Sequence, residues 1–304
     1  MRALAFLLAL LLGSPAWAQI PPAFVQGPAA AASYTGPGDV VSGAAYWGGV
    51  WAYSAAQRGT KALNVCNVSD VACADLSTDA TTGALTVTTI GGSSCSVVTC
   101  TVKTIYDQSG NAHDFTQATI ANRGTLTNSG CPAGTSWCIG GLGDTTFYTY
   151  ATSGTGSQPI TVSGVFLSTL ASTNRRFLIA ASDNSPFTSV EIGSGGDCST
   201  SDSCLFSTTL GPQVATTNNT WYALQAVFNG ASPGSVLLIN GTSATGSTSG
   251  SSWNNAGYPK LFHCCSSGNF GLNGRAVEIG WWTSAFNGTQ QSNMESNERT
   301  RNNF

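Results

Sequence analysis

"CSVVTCTVKTIYDQSGNAHDFTQA", residues Cys95–Ala118, decides how the rest of the chain is read. Cys95 and Cys100 enclose a four-residue loop. The run Thr101–Ile105 is dominated by β-branched residues, which suit a pleated, half-buried strand. It then meets Asp107, Ser109, Gly110 and Asn111, turn formers whose short polar side chains bond nearby backbone. The stretch therefore predicts a strand that stops near Ile105 and a polar corner after it. In a chain so poor in charge, Asp107, Gln108 and His113 are also candidate contacts for a ligand. A self-bonded corner and a binding loop are both open on this reading.

Outward from the corner, short β-type runs follow one another to the C-terminus: 160–170, 175–182, 188–193, 204–210, 221–230, 235–241, 260–264 and 274–282, with Gly, Asn, Ser and Pro between them. Many short strands with turn punctuation predict an antiparallel sandwich. Two segments sharpen this. Residues 219–246 read as a hairpin opening on Trp221, and 271–295 as a Gly-rich turn, a strand with Glu278 and a helix start. Their order resembles the closing strands of laminin-G-like and concanavalin A-like proteins. The expected fold is all-β, a concanavalin A-like antiparallel β-sandwich (jelly roll), with a short C-terminal helix capped by Asn287 or Thr289.

The first residues read as a targeting segment. Arg2 precedes a short apolar run and Ala16-Trp17-Ala18 forms a small-x-small cleavage site, so residues 1–18 are expected to be a signal peptide cut near Ala18. Residues 19–38 are a Pro/Ala-rich leader, and 39–304 a single β-sandwich domain. Localisation is then secreted, periplasmic or extracellular, without membrane insertion. All ten cysteines follow the signal, in five close couples. An even count in an exported chain reads as disulfides. Local pairing is the simplest scheme, joining Cys66 with Cys73, Cys95 with Cys100, Cys131 with Cys138, and Cys198 with Cys204. With two histidines and no paired C-x-x-C, a zinc site is not expected. Only 8% of residues are charged and the net charge is −3, which excludes the basic face a nucleic-acid partner requires. A polar, uncharged, aromatic-bearing surface suits a neutral poly- or oligosaccharide, bound by a monomer.

The opening stretch resembles the catalytic domain of the arabinofuranosidase B family (glycoside hydrolase family 54-like). The matching features are the Cys95/Cys100 pair, the β-run, Ile105–Gly110 and Phe115–Ala118, with 39–63 looser. The resemblance implies a secreted glycoside hydrolase acting on α-L-arabinofuranosyl groups of polysaccharides; no cofactor and no metal are expected, since the chain has no H-E-x-x-H, no phosphate loop and no dense Asp/Asn loop. By the same resemblance the nucleophile is Glu191, in "SVEIGSGGD". The family's acid position, ahead of the final strand, aligns with Ser266 or Ser267, which cannot protonate a leaving group near neutral pH. Asp183 and Asp197 are the substitute candidates, since glycoside hydrolysis normally needs two carboxyl groups. The adjacent Cys264 and Cys265 are candidates for a stiff apolar platform under a sugar face. With no such acid in place, a non-catalytic carbohydrate-binding jelly roll or a structural, adhesive surface domain are the competing expectations.

Overall fold

The computed structural model describes residues 33–150, 158–169, 176–180, 188–192, 198, 202–207, 209–230, 234–248, 259–264 and 270–304. Asp183, Asp197 and Cys265 lie outside the described residues. Tyr34–Phe304 form one compact unit. In chain order its helices and strands are α1 (Pro37–Val40), β1 (Tyr46–Gly49), β2 (Lys61–Asn67), β3 (Cys73–Ser77), β4 (Cys100–Ile105), β5 (Phe115–Thr116), β6 (Thr125–Thr127), β7 (Cys138–Leu142), β8 (Tyr148–Thr149) and β9 (Ile160–Ser168). There follow β10 (Phe177–Ala180), β11 (Thr188–Glu191), β12 (Asp202–Ser207), β13 (Thr209–Ala215), β14 (Trp221–Phe228), β15 (Ser235–Ile239), β16 (Thr242–Gly246), β17 (Lys260–Leu261), β18 (Gly274–Trp282) and α2 (Gly288–Asn302).

The pairings are antiparallel and define two layers. One runs β3–β2–β4–β5–β8–β17–β10–β11–β12–β13. The other runs β16–β15–β14–β9–β18, with β1 and β7 sharing the far edge of β18. Strand β6 ties β7 to β4 and joins the layers along one side. The period-two rule of strands then sorts the side chains. Leu63, Val65, Ile105, Ile179, Val190 and Leu205 from the first layer meet Phe166, Leu224, Ala226, Leu237 and Ile279 from the second in one buried cluster. This is the sandwich expected from the strand pattern.

The outer face of the second layer is covered by α2, and here the contacts are polar. Gln225 of β14, Ser163 of β9 and Glu278 of β18 all point at the helix. Arg301 grips Glu278 with two parallel bonds, Nη1–Oε2 at 2.8 Å and Nη2–Oε1 at 2.9 Å. Glu298 accepts from Ser163 Oγ and from Gln225 Nε2. Met294 packs beside them with Trp47, Trp282 and Phe286. The helix starts at Asn287, whose side chain accepts from Gln290 N while Gln290 caps back, which decides between the two expected caps. At Gly49, opposite Glu278 in the ladder, a Cβ would sit 2.3 Å from Val277 O, so β1 can approach the bulged β18 only with glycine there.

The compact unit begins before the expected domain start at Asp39. Tyr34 stacks on Trp51 with centroids 6.1 Å apart and donates its hydroxyl to Ala52 O. The tail of the expected leader is thus part of the packed body, because Tyr34 is a large aromatic with a buried partner.

The disulfides Cys66–Cys73, Cys95–Cys100, Cys131–Cys138 and Cys198–Cys204 form as the spacing predicts, and Cys264 is also disulfide-bonded. Each described bridge closes a loop of at most seven residues in sequence separation, so each stiffens a local turn more than it joins distant parts.

Candidate active site

Two places gather polar groups, at opposite ends of β8. Tyr150, past one end, stacks on His113 at 5.0 Å. Phe147, before the other end, lies 5.8 Å from the ring of His263. Phe147 and Tyr150 are three positions apart on extended chain, about 10 Å.

At the first end is the Asp107 corner. Strand β4 stops at Ile105, as predicted. Asp107 Oδ1 accepts from Trp47 N at 3.2 Å, Ser109 N at 2.8 Å and Ser109 Oγ at 2.6 Å, and Oδ2 accepts from His113 N at 3.0 Å. Asp114 in turn accepts from Asp107 N at 2.9 Å. Gln108 is 3% exposed; its amide accepts from Tyr53 N and donates to Gly49 O, each at 3.3 Å. Asn111 donates to Ala44 O and Ala45 O, and a ring nitrogen of His113 bonds Ala45 O at 2.8 Å. The loop is a clamp on residues 44–53. Burial, and then the nearby carboxylates of Asp107 and Asp114, push the Tyr46 phenol well above its usual range. Beside the corner is an open groove of about 440 Å³ lined by Lys61, Tyr106, Asp107, Gln108 and Asp114 among others. Tyr106 donates to Asp75 at 2.6 Å, and Lys61, followed by Tyr106 and Asn64, holds the Asp75 carboxyl down to about 2. The polar atoms expected to reach a sugar from Asp107, Gln108 and His113 are engaged mainly with backbone.

At the second end is Glu191, the last residue of β11 and fully buried. It pairs with Phe177 on β10 and Cys204 on β12. Its Oε2 lies 3.7 Å from Cys198 Sγ, so the carboxylate rests against the Cys198–Cys204 bridge. Glu191 and these two sulfurs are close enough to resemble a metal-ligand set, as are Cys66, Asp70 and Cys73, but the sulfurs of both groups are spent in disulfides. Two residues earlier on the same face of β11, Ser189 is fully buried and its hydroxyl has no hydrogen-bond partner among the described residues. A buried hydroxyl left unpaired costs about 1–3 kcal/mol.

Three residues not singled out in the sequence complete this end. The main-chain O of Arg176 accepts from Ile192 N at 2.8 Å, beside Glu191, and its guanidinium pairs with Asp144. His263 is buried and its Nε2 bonds Asp144 O at 2.9 Å. Cys264 follows it, so the platform candidate stands at the Glu191 end although 73 residues separate the two in sequence. The signal for Asp144 and Arg176 was faint: only the rarity of charge in the chain marks them.

No family model matches the chain, and no curated protein matches it in sequence. Solved structures do match in fold. An arabinofuranosidase complexed with arabinofuranosyl-α-1,2-xylobiose superposes with a TM-score of 0.62 at 14% identity, over 86% of this chain and 65% of that one. A glycoside hydrolase family 54 α-L-arabinofuranosidase soaked with a cyclic sulfate inhibitor gives the same TM-score and coverage at 15% identity. So does a point mutant of such an enzyme soaked with 4-nitrophenyl α-L-arabinofuranoside. The chain shares the β-sandwich fold of these glycoside hydrolases and spans about two-thirds of their length.

Proposed function

We propose that the protein is an exported glycoside hydrolase that removes α-L-arabinofuranosyl groups from polysaccharide, with Glu191 as its nucleophile. The observation that carries this reading is Glu191 itself, a fully buried carboxylate at a sheet end, set against a disulfide, in the fold shared with arabinofuranosidases. A nucleophile of this kind needs a second carboxyl about 5–5.5 Å away for retention or about 6.5–9.5 Å for inversion. Asp183 and Asp197 are the candidates for that partner. The signal peptide at 1–18, the export of a monomer and the absence of a cofactor belong to the same proposal. Local disulfides support export, and no described helix is long and apolar enough to cross a membrane.

The test is release of 4-nitrophenol from 4-nitrophenyl α-L-arabinofuranoside by the purified chain and by Glu191→Gln. Turnover that vanishes in the variant supports the assignment; turnover that persists unchanged refutes it. A second reading, a carbohydrate-binding relative without turnover, is favoured by one specific feature: the segment 262–277 ahead of Glu278 contains no Asp or Glu. Under that reading the wild type binds arabinosides and releases nothing.

A further inference from the structure

Asp144 lies in the turn between β7 and β8, with its side chain 36% exposed. Its two carboxylate oxygens are treated differently. Oδ1 receives both the Arg176 guanidinium and the Asn273 side-chain amide. Oδ2 has no partner among the described residues. Arg176 is 4% exposed at its side chain and also donates to Gly271 O at 3.2 Å, so it cannot swing away freely. The main-chain O of Asp144 is held by His263. Gly271 presses on the same turn: a Cβ there would lie 1.8 Å from Gly143 O and 2.9 Å from Asp144 Cα. The carboxylate is therefore fixed on one side and open on the other.

The His263 ring that holds its main chain has aromatic neighbours. Phe147 and Phe270 are both partly exposed and flank the His263 ring at 5.8 and 6.4 Å. Through Arg176, Asp144 is one residue removed from the strand end that carries Glu191. A fixed carboxylate oxygen offered beside phenyl faces is the chemistry that recognises a neutral sugar. Hydroxyls donate to the carboxylate and C–H faces pack on the rings.

We propose that Asp144 accepts a hydrogen bond from one hydroxyl of the arabinofuranosyl unit whose glycosidic carbon faces Glu191. This rests on the functional reading above and assigns substrate positioning to a residue outside the candidate carboxyl pair. Asp144 is assigned as a hydroxyl acceptor through Oδ2, the oxygen that the guanidinium and the amide leave open.

The experiment measures binding of methyl α-L-arabinofuranoside, and of its 2-, 3- and 5-deoxy analogues, by calorimetry. The protein is Glu191→Gln, alone and combined with Asp144→Asn. The parent sugar is expected to bind Glu191→Gln and to bind the double variant about ten- to a hundredfold more weakly, the range for a hydrogen bond to a charged group. One deoxy analogue should bind both proteins equally, since it lacks the hydroxyl that Asp144 accepts. Phe147→Leu, which leaves the Arg176 pair intact, should also weaken the parent sugar. Equal binding of the parent sugar to both proteins overturns the inference. So does a uniform loss over all four sugars, which marks a purely structural Asp144. Should Asp144→Asn not fold, unchanged binding in Phe147→Leu overturns it. No binding or turnover of arabinosides by the wild type refutes the underlying functional reading instead.

Discussion

The Asp107 corner and the Glu191 end hold comparable sets of polar residues and use them in opposite ways. In the corner, Asp107, Gln108, Asn111, His113 and Asp114 come from one short stretch, and their bonds go mostly to main chain of the same loop and of residues 44–53. At the other end, Glu191, Arg176, Asp144, His263 and Ser189 come from four separated segments, and among the described residues Oδ2 of Asp144 and the buried hydroxyl of Ser189 have no hydrogen-bond partner. A polar cluster that is contiguous in sequence can satisfy itself, and folding rewards that. A cluster assembled by tertiary structure is fixed from outside, here by the Arg176–Asp144 pair and the bond of His263 to the Asp144 main chain.

The largest effect that would break this comparison is catalytic. Glu191→Gln should lower kcat/KM on an aryl arabinofuranoside by about 10³-fold or more, a loss of about 4 kcal/mol of transition-state stabilisation. Asp107→Ala, by contrast, should leave kcat/KM of the folded protein within about twofold. A catalytic collapse in Asp107→Ala with unchanged stability would reverse the roles of the two regions.

The next effect is on stability. Asp107→Ala removes an acceptor of four hydrogen bonds. It should cost about 2–4 kcal/mol in denaturant unfolding, because backbone amides on Trp47, Ser109 and His113 lose their partner.

Glu298 separates burial from function. Like Glu191 it is fully buried, but it is bonded to Ser163 and Gln225 beneath α2. Burial, and then the neighbouring Glu278 carboxylate, push its carboxyl well above the usual 4.5. A carboxyl raised in the folded state binds its proton more tightly there. Its contribution to stability is complete below about pH 4.5 and declines as pH rises toward the folded value. Glu298→Gln should therefore flatten the fall of stability with rising pH above 4.5, measured by denaturant midpoints from pH 4 to 8. It should leave catalysis unchanged. Loss of activity equal to that of Glu191→Gln would show that burial, not position, made Glu191 matter.

The smallest effect lies in the groove beside the corner. Asp75, held down to about 2 by Lys61, Tyr106 and Asn64, contributes above its unfolded value and loses that contribution as pH falls toward 2. It is mostly solvated, so Asp75→Asn should cost less than about 1 kcal/mol at neutral pH and nothing in strong acid.

Much of the second half of the fold was legible in sequence. The runs at 160–170, 221–230, 235–241 and 274–282 became β9, β14, β15 and β18, and Asn287 became the helix cap. These strands are buried on both faces or closed by tight turns, so β-branched and aromatic residues mark them plainly. The first half was harder. Strands β5, β6 and β8 are two or three residues long and owe their form to neighbours in the ladder, not to propensity. The Tyr34–Trp51 stacking at the end of the expected leader is likewise set by a distant partner and not by local composition.

Sequence alone determined the strand-rich sandwich, the local disulfides of the described pairs, the strand end at Ile105 and the low charge that suits a neutral ligand. These depend on side-chain chemistry within a few residues, where spacing and turn preference are visible directly. Only the tertiary structure decided that Asp107 is a fastener, and that Asp144 and Arg176 stand with Glu191 and Cys264 at one end of the sheet. Antiparallel pairing brings β8, β17, β10 and β11 side by side although their residues run from 148 to 261. Which atoms remain free after such pairing is a property of the whole ladder, and no single stretch of the chain carries it.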